Sequence, residues 1–423
     1  MPSKISSSDS ADGVRLLKES ALYAMAKGIP GVLGLLSVVV FIRLVGAEQF
    51  GFFAILTATA SMWSSFAGGW LFQGILRYYS SWRTTPADLF QLLRTGIGLS
   101  ATACAAVLLL SLLWLDTPVQ PMDLVLCLAL AILMIVQTVA LSLWQSDLRP
   151  NTVLRVELLR TTVAFCGSCL LAWLVSPNAR ALVGGAAIGY AASFIVGRLP
   201  TRAFREGNGA VPPNLRKIWS YGWPLSFWFL VQLSFPWLDR VMIAGRFGLH
   251  DTGVFASLSE VLTRSFSLLV YPLTMAAHPR LASLWNNGEQ EAARRMLRIA
   301  LVSSIGISVA AVLALHLCRK WLVLWLLPAT ARDLPALHPE LIALLAAGGA
   351  IWQIALIVHK PLELHERTRT MLIAIGGAFA IKLLTNYYGI QQWGVPGAVY
   401  GTIAAGLMYC VGCTLASSTD RKR

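Results

Sequence analysis

Gly46-Ala47-Glu48-Gln49-Phe50-Gly51-Phe52-Phe53-Ala54 and Gly248-Leu249-His250-Asp251-Thr252-Gly253-Val254-Phe255-Ala256 share the pattern G-x4-G-x-F-A at an offset of 202 residues. That offset is close to half of the 423-residue chain. Each copy sits between two apolar stretches long enough to cross a bilayer, for which ~20 residues suffice. Working outward from them, twelve such stretches follow: 21–44, 50–73, 92–115, 122–145, 153–176 and 181–200, then 218–243, 251–276, 298–318, 340–361, 369–389 and 394–416. The first copy therefore marks the turn between spans one and two, and the second the turn between spans seven and eight. At the same offset Pro86 corresponds to Gly288, and each is expected to begin a helix leading into the next span. Thr85 would cap the first, and the acids of Glu289-Gln290-Glu291 would lie in the first turn of the second.

Six spans per half is an even number, so both halves enter the membrane in the same sense. Duplication then predicts an all-α integral membrane protein of two six-helix lobes, related by a pseudo-twofold axis along the membrane normal, with a cavity between them. The expected organisation is a segment 1–20, a first lobe 21–200, a basic connecting loop 201–217, a second lobe 218–417 and a basic tail 418–423. Composition agrees. The chain is 56% hydrophobic and 13% charged, with a mean hydropathy of +0.65, where soluble domains carry about 25% charged residues.

The net charge of +14 is not the footprint of a nucleic-acid-binding protein. With the N-terminus inside, loops on the outer side hold only Arg43, Arg180, Arg246, Arg319, Lys320 and Arg332 of the 34 Lys and Arg. That bias predicts both termini in the cytoplasm, with the inner basic loops lying against anionic lipid. The seven cysteines fall in or beside apolar spans, and the Cys166-x2-Cys169 and Cys410-x2-Cys413 pairs have no second ligand pair, so they read as small packing residues and not as a metal site. The chain contains no HExxH, no P-loop and no GxSxG, so an enzyme is not expected.

Five cations lie inside predicted spans: Lys27, Arg160, Arg240, Arg264 and Lys382. Only three acids accompany them: Glu157, Asp239 and Glu260. A cation at the bilayer centre costs roughly 2.5–3.5 kcal/mol on insertion scales, so such residues face a bundle interior or a wet cavity, and a positive surplus there calls for an anionic guest. Arg264, mid-span, is the leading candidate; an ion pair with Glu260, one turn earlier, is the competing reading, or Glu260 tunes it. Lys27 either lines the cavity or snorkels to the inner edge, and Arg160 either binds the guest or sits at the interface. Arg240 and Lys382 are secondary cations that serve the cavity or reach the outer headgroups. Asp239 offers a ligand for a coupling ion, sodium or a proton; no other cofactor is expected. In span seven, Phe227 and Trp228 either face lipid or stack on sugar rings.

Further residues carry a resemblance. Phe41-Ile-Arg43-Leu-Val-Gly46-Ala-Glu48-Gln-Phe50-Gly51, Gly74-Ile-Leu-Arg77-Tyr78-Tyr79, Tyr221-Gly222-Trp223-Pro224-Leu225, Leu238-Asp239-Arg240 and Gly394-Val395-Pro396-Gly397-Ala398 resemble the polysaccharide, O-antigen-type flippase family of the multidrug/oligosaccharidyl-lipid/polysaccharide exporter superfamily. The resemblance covers nearly the whole chain. It implies a cationic cavity with a lateral gate at spans one and eight, and a polyprenyl-pyrophosphate-linked oligosaccharide as substrate, moved across the bacterial inner membrane for surface polysaccharide, such as lipopolysaccharide, biosynthesis. Lys27 and Arg264 match the positions of phosphate-binding cations in relatives, and Asp239 matches a family acid. Relatives that handle lipid II often have fourteen spans; twelve spans favour a glycan repeat unit. The expected partners are that lipid-linked glycan, membrane lipids and other glycan-assembly membrane proteins. Two rival readings are a cation-coupled drug or metabolite exporter of the same superfamily and a membrane-embedded glycan polymerase or ligase.

Overall fold

A computed structural model describes residues 7–82, 86–112, 120–147, 149–197, 215–286, 288–328, 340–365 and 367–418. The described residues are almost wholly helical. The first lobe comprises α1 (Ser7–Trp82), α2 (Pro86–Leu112), α3 (Pro121–Ser146), α4 (Pro150–Leu174) and α5 (Ala179–Val196). The second comprises α6 (Leu215–Asn286), α7 (Gln290–Leu317), α8 (Arg319–Leu326), α9 (Leu341–Val358), α10 (Lys360–Leu364), α11 (Thr368–Trp393) and α12 (Val395–Ser418). Ten of these are long and apolar enough to cross a membrane.

Two of the ten, α1 and α6, are long enough to cross twice. Each is broken at the first glycine of the repeat: Gly46 adopts φ 80°, ψ 165°, and Gly248 adopts φ 87°, ψ 176°. That region is open essentially to glycine alone, so the repeat's first glycine is the hinge that turns one long helix into a pair of spans. Each lobe thereby gains six passes, as the duplication predicts. The second glycine has a different task. A Cβ on Gly51 would overlap the Leu249 carbonyl oxygen and the Gly253 backbone, and a Cβ on Gly253 would overlap the Ala47 carbonyl. The two copies of the motif therefore touch each other backbone to backbone, which is what a twofold relation between them requires.

The largest buried apolar cluster forms around this contact and draws on both lobes: Ile42 and Phe50 from α1 pack with Phe255, Leu258 and Leu262 from α6 and with Ile342 and Val399. The lobes meet again toward the opposite end, where Gly69 lies against Ser226, Gly74 against Ile218 and Gly222 against Trp70. On the other arms of α1 and α6, Gly31 lies against Leu268 and Gly34 against Arg264, and between these contacts the lobes enclose a central cavity. Away from it the helices turn side chains such as Trp173, Leu174 and Leu317 outward, more than half exposed, as a lipid-facing surface demands.

Several expectations shift in detail. α7 starts at Gln290 with Glu289 at its N-cap, and Gly288 is a left-handed turn residue (φ 82°) that precedes the helix and does not begin it. Pro86 does begin α2, while Thr85 lies outside the described residues. α1 is already helical from Ser7, within the segment that precedes span one. The connecting loop is outside the described residues up to 214, and its last three residues, 215–217, belong to α6.

Candidate functional site

The two arms of α6, joined at the Gly248 break, carry the charged side chains of the central cavity. Arg240 lies on the first arm, Glu260 and Arg264 on the second. Glu260 bridges the guanidiniums: its Oε1 accepts from Arg240 Nη2 at 2.6 Å, and its Oε2 from Arg264 Nη2 at 2.6 Å. Arg240 is 5% exposed and also donates through Nη1 to the Ala54 carbonyl at 2.8 Å. That carbonyl belongs to the last residue of the first repeat copy, so Arg240 ties α6 to the turn of α1. Arg264 is freer, with 40% of its side chain exposed. Its guanidinium lies where a Cβ on Gly34 would be, so the missing side chain of α1 is what lets it stretch along that helix.

Two guanidiniums thus share one carboxylate, and the group retains a positive charge. The cavity they line holds about 750 Å³ and is bordered also by Asp239, by Ser, Thr and Gln, and by aromatic and apolar side chains, including Phe235, Trp352 and Tyr190. Such a volume is in the range of small-molecule sites. Arg264 thus pairs with Glu260 and also faces the cavity.

The other predicted residues divide. The side chain of Lys27 is outside the described ones; its position on α1 is seven residues, two helical turns, before Gly34 and hence on the same face. Arg160 bonds Glu157 at 2.7 Å and stacks over Tyr190, with its guanidinium carbon 4.9 Å from the ring centre. It stands behind the cavity wall, because Tyr190 and not Arg160 forms the lining. Arg240 and Lys382 do not reach for headgroups; both are buried, Lys382 completely. Lys382 Nζ donates to Asp239 Oδ1 at 2.7 Å and to Thr402 Oγ1 at 2.7 Å, so the Asp239 carboxylate already has a cation on it.

Phe227 and Trp228 do not line the central cavity. Phe227 packs edge-on against Phe66 and Trp223 in a separate, largely apolar groove of about 780 Å³ beside α1 and α2, with Trp70, Trp219 and Arg216. Trp228 lies against Phe229 and His359 inside the second lobe. The aromatic side chains that do line the cavity include Phe41, Phe53 and Tyr190 of the first lobe and, in the second, Phe235 and Trp352, whose rings are 4.8 Å apart between centres. Phe235 is eight residues, just over two turns, beyond Phe227 and only four before Asp239, which is the signal that places it at the charged level of span seven. Trp352 is on span ten, and its sequence neighbourhood, Gly-Ala-Ile-Trp-Gln-Ile, differs little from ordinary apolar helix. The seven cysteines are free, and among the described residues no group of His, Cys, Asp and Glu is placed to hold a metal.

Comparison with known proteins gives the same architecture. The chain is similar to the lipid II flippase MurJ in its inward closed conformation, with 13% identity over 94% of this chain and 87% of that one, and a TM-score of 0.70. It is similar also to an inward-facing multidrug resistance MATE transporter of the MOP superfamily (12% identity, 95% and 94% covered, TM-score 0.65). The MATE transporter VcmN of Vibrio cholerae gives 14% identity, 96% and 98% covered, and a TM-score of 0.62. No curated protein sequence matches. At these identities the likeness establishes the fold: two lobes of membrane-crossing helices around a central cavity. Family membership comes from the sequence, since the family model described as polysaccharide biosynthesis protein matches residues 16–285, which include both copies of the glycine motif and the Arg240–Glu260–Arg264 group. The chain is thus a multi-pass membrane protein that belongs to the polysaccharide biosynthesis protein family and shares the fold of the MOP-superfamily flippases and exporters.

Proposed function

We propose that the protein is a flippase that carries a polyprenyl-pyrophosphate-linked oligosaccharide from the inner to the outer leaflet of the bacterial cytoplasmic membrane. It works by alternating access and is a transporter, not an enzyme. The observation that carries this reading is the shared carboxylate: Glu260 neutralises only one of the two guanidiniums it touches, and Arg264 is left exposed to the cavity. A positive group held at bilayer depth is costly, and an anionic headgroup entering the cavity offsets that cost. Guanidinium groups bind phosphate oxygens through paired, directional hydrogen bonds, so the pyrophosphate would sit at Arg264, with Lys27 proposed from the sequence as its second cation.

The glycan would occupy the polar remainder of the cavity against Phe235 and Trp352, while the isoprenoid chain stays in lipid beyond the seam of α1 and the second arm of α6. With both termini cytoplasmic, an inside-negative potential favours outward movement of the anion by about 2.3 kcal/mol per charge per 100 mV, for a charge that crosses the full field. A cation-coupled drug exporter would need a free acid in the cavity, and both acids that line it, Asp239 and Glu260, are paired with cations.

The test is translocation of a lipid-linked oligosaccharide in liposomes by purified protein. Arg264→Ala removes a charge-assisted contact of about 1.5–3 kcal/mol, so the rate at sub-saturating substrate should fall roughly tenfold to a hundredfold while the protein still folds. Transport unchanged in that variant would remove the phosphate-binding role.

A further inference from the structure

A second ionic cluster joins three helices of the second lobe and is not used by the phosphate site. Its centre is Lys382 on α11, none of whose side chain is exposed. The ammonium donates to Asp239 Oδ1 on α6 and to Thr402 Oγ1 on α12, each at 2.7 Å. Asn386, one turn along α11 and also wholly buried, donates from Nδ2 to the same Asp239 oxygen at 2.7 Å, and the Thr402 hydroxyl lies 3.4 Å from Asp239 Oδ2. The Phe235 ring covers the ammonium at 5.9 Å. Asp239 and Thr402 form part of the central cavity wall, so the cluster is one layer of side chains from the transport path.

The donors around Nζ are those of a hard-cation site: a carboxylate, a hydroxyl and a neighbouring amide, delivered by three separate helices. One observation makes the resemblance more than compositional. Asn386 Oδ1 is buried without a hydrogen-bond partner and is turned toward the Gly401 backbone of α12, so the amide gives the network only its donor and holds an acceptor in reserve. A cation in place of the amine would let the amide turn that oxygen inward. A buried carboxylate left without a counter-charge is strongly destabilising unless it takes up a proton, so Asp239 calls for a cation or a proton beside it.

We propose that the Lys382 ammonium is a tethered cation: it permanently fills a monovalent-cation site built by Asp239, Thr402 and Asn386, and the protein therefore binds no inorganic cation there. The corollary is that taking the amine away uncovers a working sodium site. This inference concerns the ion and not the cargo, so it stands or falls separately from the glycan reading.

The experiment measures thermal unfolding midpoints of the purified full-length protein in sodium chloride and in choline chloride at equal ionic strength. Wild type should show the same midpoint in both. Lys382→Asn should be less stable than wild type in choline and recover in sodium with a saturable dependence on concentration, because a ligand bound only by the folded state raises its stability. Adding Asp239→Asn to that variant should abolish the recovery. Saturable stabilisation of wild type by sodium, lost in Asp239→Asn, would overturn the proposal, as would a Lys382→Asn protein indifferent to sodium. If the lysine variant does not fold, the wild-type comparison decides: indifference to sodium supports the tethered cation and saturable binding refutes it.

Discussion

Gly34 shows how a single residue sets the site. Its missing Cβ is the space taken by the Arg264 guanidinium, and the overlapping atoms belong to the far end of that flexible side chain, not to backbone. Gly34→Ala should therefore be accommodated by swinging Arg264 aside. Fold stability should change little and the helix gains propensity, since alanine exceeds glycine by about 0.8–1 kcal/mol. Transport should nonetheless fall toward the level of Arg264→Ala, because the guanidinium no longer lies along α1. The check is a paired measurement, thermal midpoint and liposome translocation, on the same preparation; equal losses in both would mean that Gly34 serves only packing. At this scale the sequence was partly readable. Glu260 and Arg264 are four residues apart and pair as helical spacing predicts, whereas Arg240 joins them across a turn, and Lys382 meets Asp239 over 143 positions. No local pattern encodes such distances, so the sequence alone does not separate burial of Arg240 and Lys382 from snorkelling.

The glycine pairs of α1 and α6 act at the level of the element. Gly46 and Gly248 share one backbone conformation and Gly51 and Gly253 one contact, so the pattern G-x4-G-x-F-A encodes a hinge followed, five residues on, by a point of touch. The two kinds of glycine should fail differently. Gly46→Ala forces a side chain into a glycine-only region at a cost of order 1–3 kcal/mol, but a Cβ there meets open space. Gly253→Ala drives a Cβ into the Ala47 carbonyl, backbone against backbone, and should separate the two turns. The expected order is a lowered thermal midpoint for Gly46→Ala and a larger drop, or failure to fold, for Gly253→Ala, read by thermal unfolding of the purified proteins. This element was legible because turn chemistry is local. The start of α7 was less so: Gly288 aligns with Pro86 by offset, yet proline has its φ preset for a first helical turn, and glycine is used here to turn the chain at φ 82° before the helix begins.

At the scale of the whole molecule, twelve passes and two lobes follow from hydropathy and the repeat, but which aromatic faces the cavity does not. Phe227 and Trp228 stand on the same span as Phe235, and helical rotation relative to a distant partner decides among them; the partner, Trp352, is over a hundred residues away. Alternating access requires the lobes to part at one end while they stay joined at the other. Here the end at Gly46 and Gly248 is sealed by the shared apolar cluster, and toward the other end Gly69 of α1 abuts Ser226 of α6. A Cβ placed on Gly69 would lie 3.4 Å from the Ser226 Cβ, near the lower edge of disulfide geometry, about 3.5–4.5 Å. The double variant Gly69→Cys/Ser226→Cys should therefore cross-link under mild oxidation. A bond there holds that end of the seam shut, so a protein that must open it to load or release cargo stops. Translocation should be lost on oxidation and return with reductant, while each single variant, which retains all seven native cysteines, stays active under both conditions. Full transport by the oxidised, demonstrably cross-linked protein would mean that α1 and α6 never separate there, and the path would have to open along the other seam, where Gly31 meets Leu268.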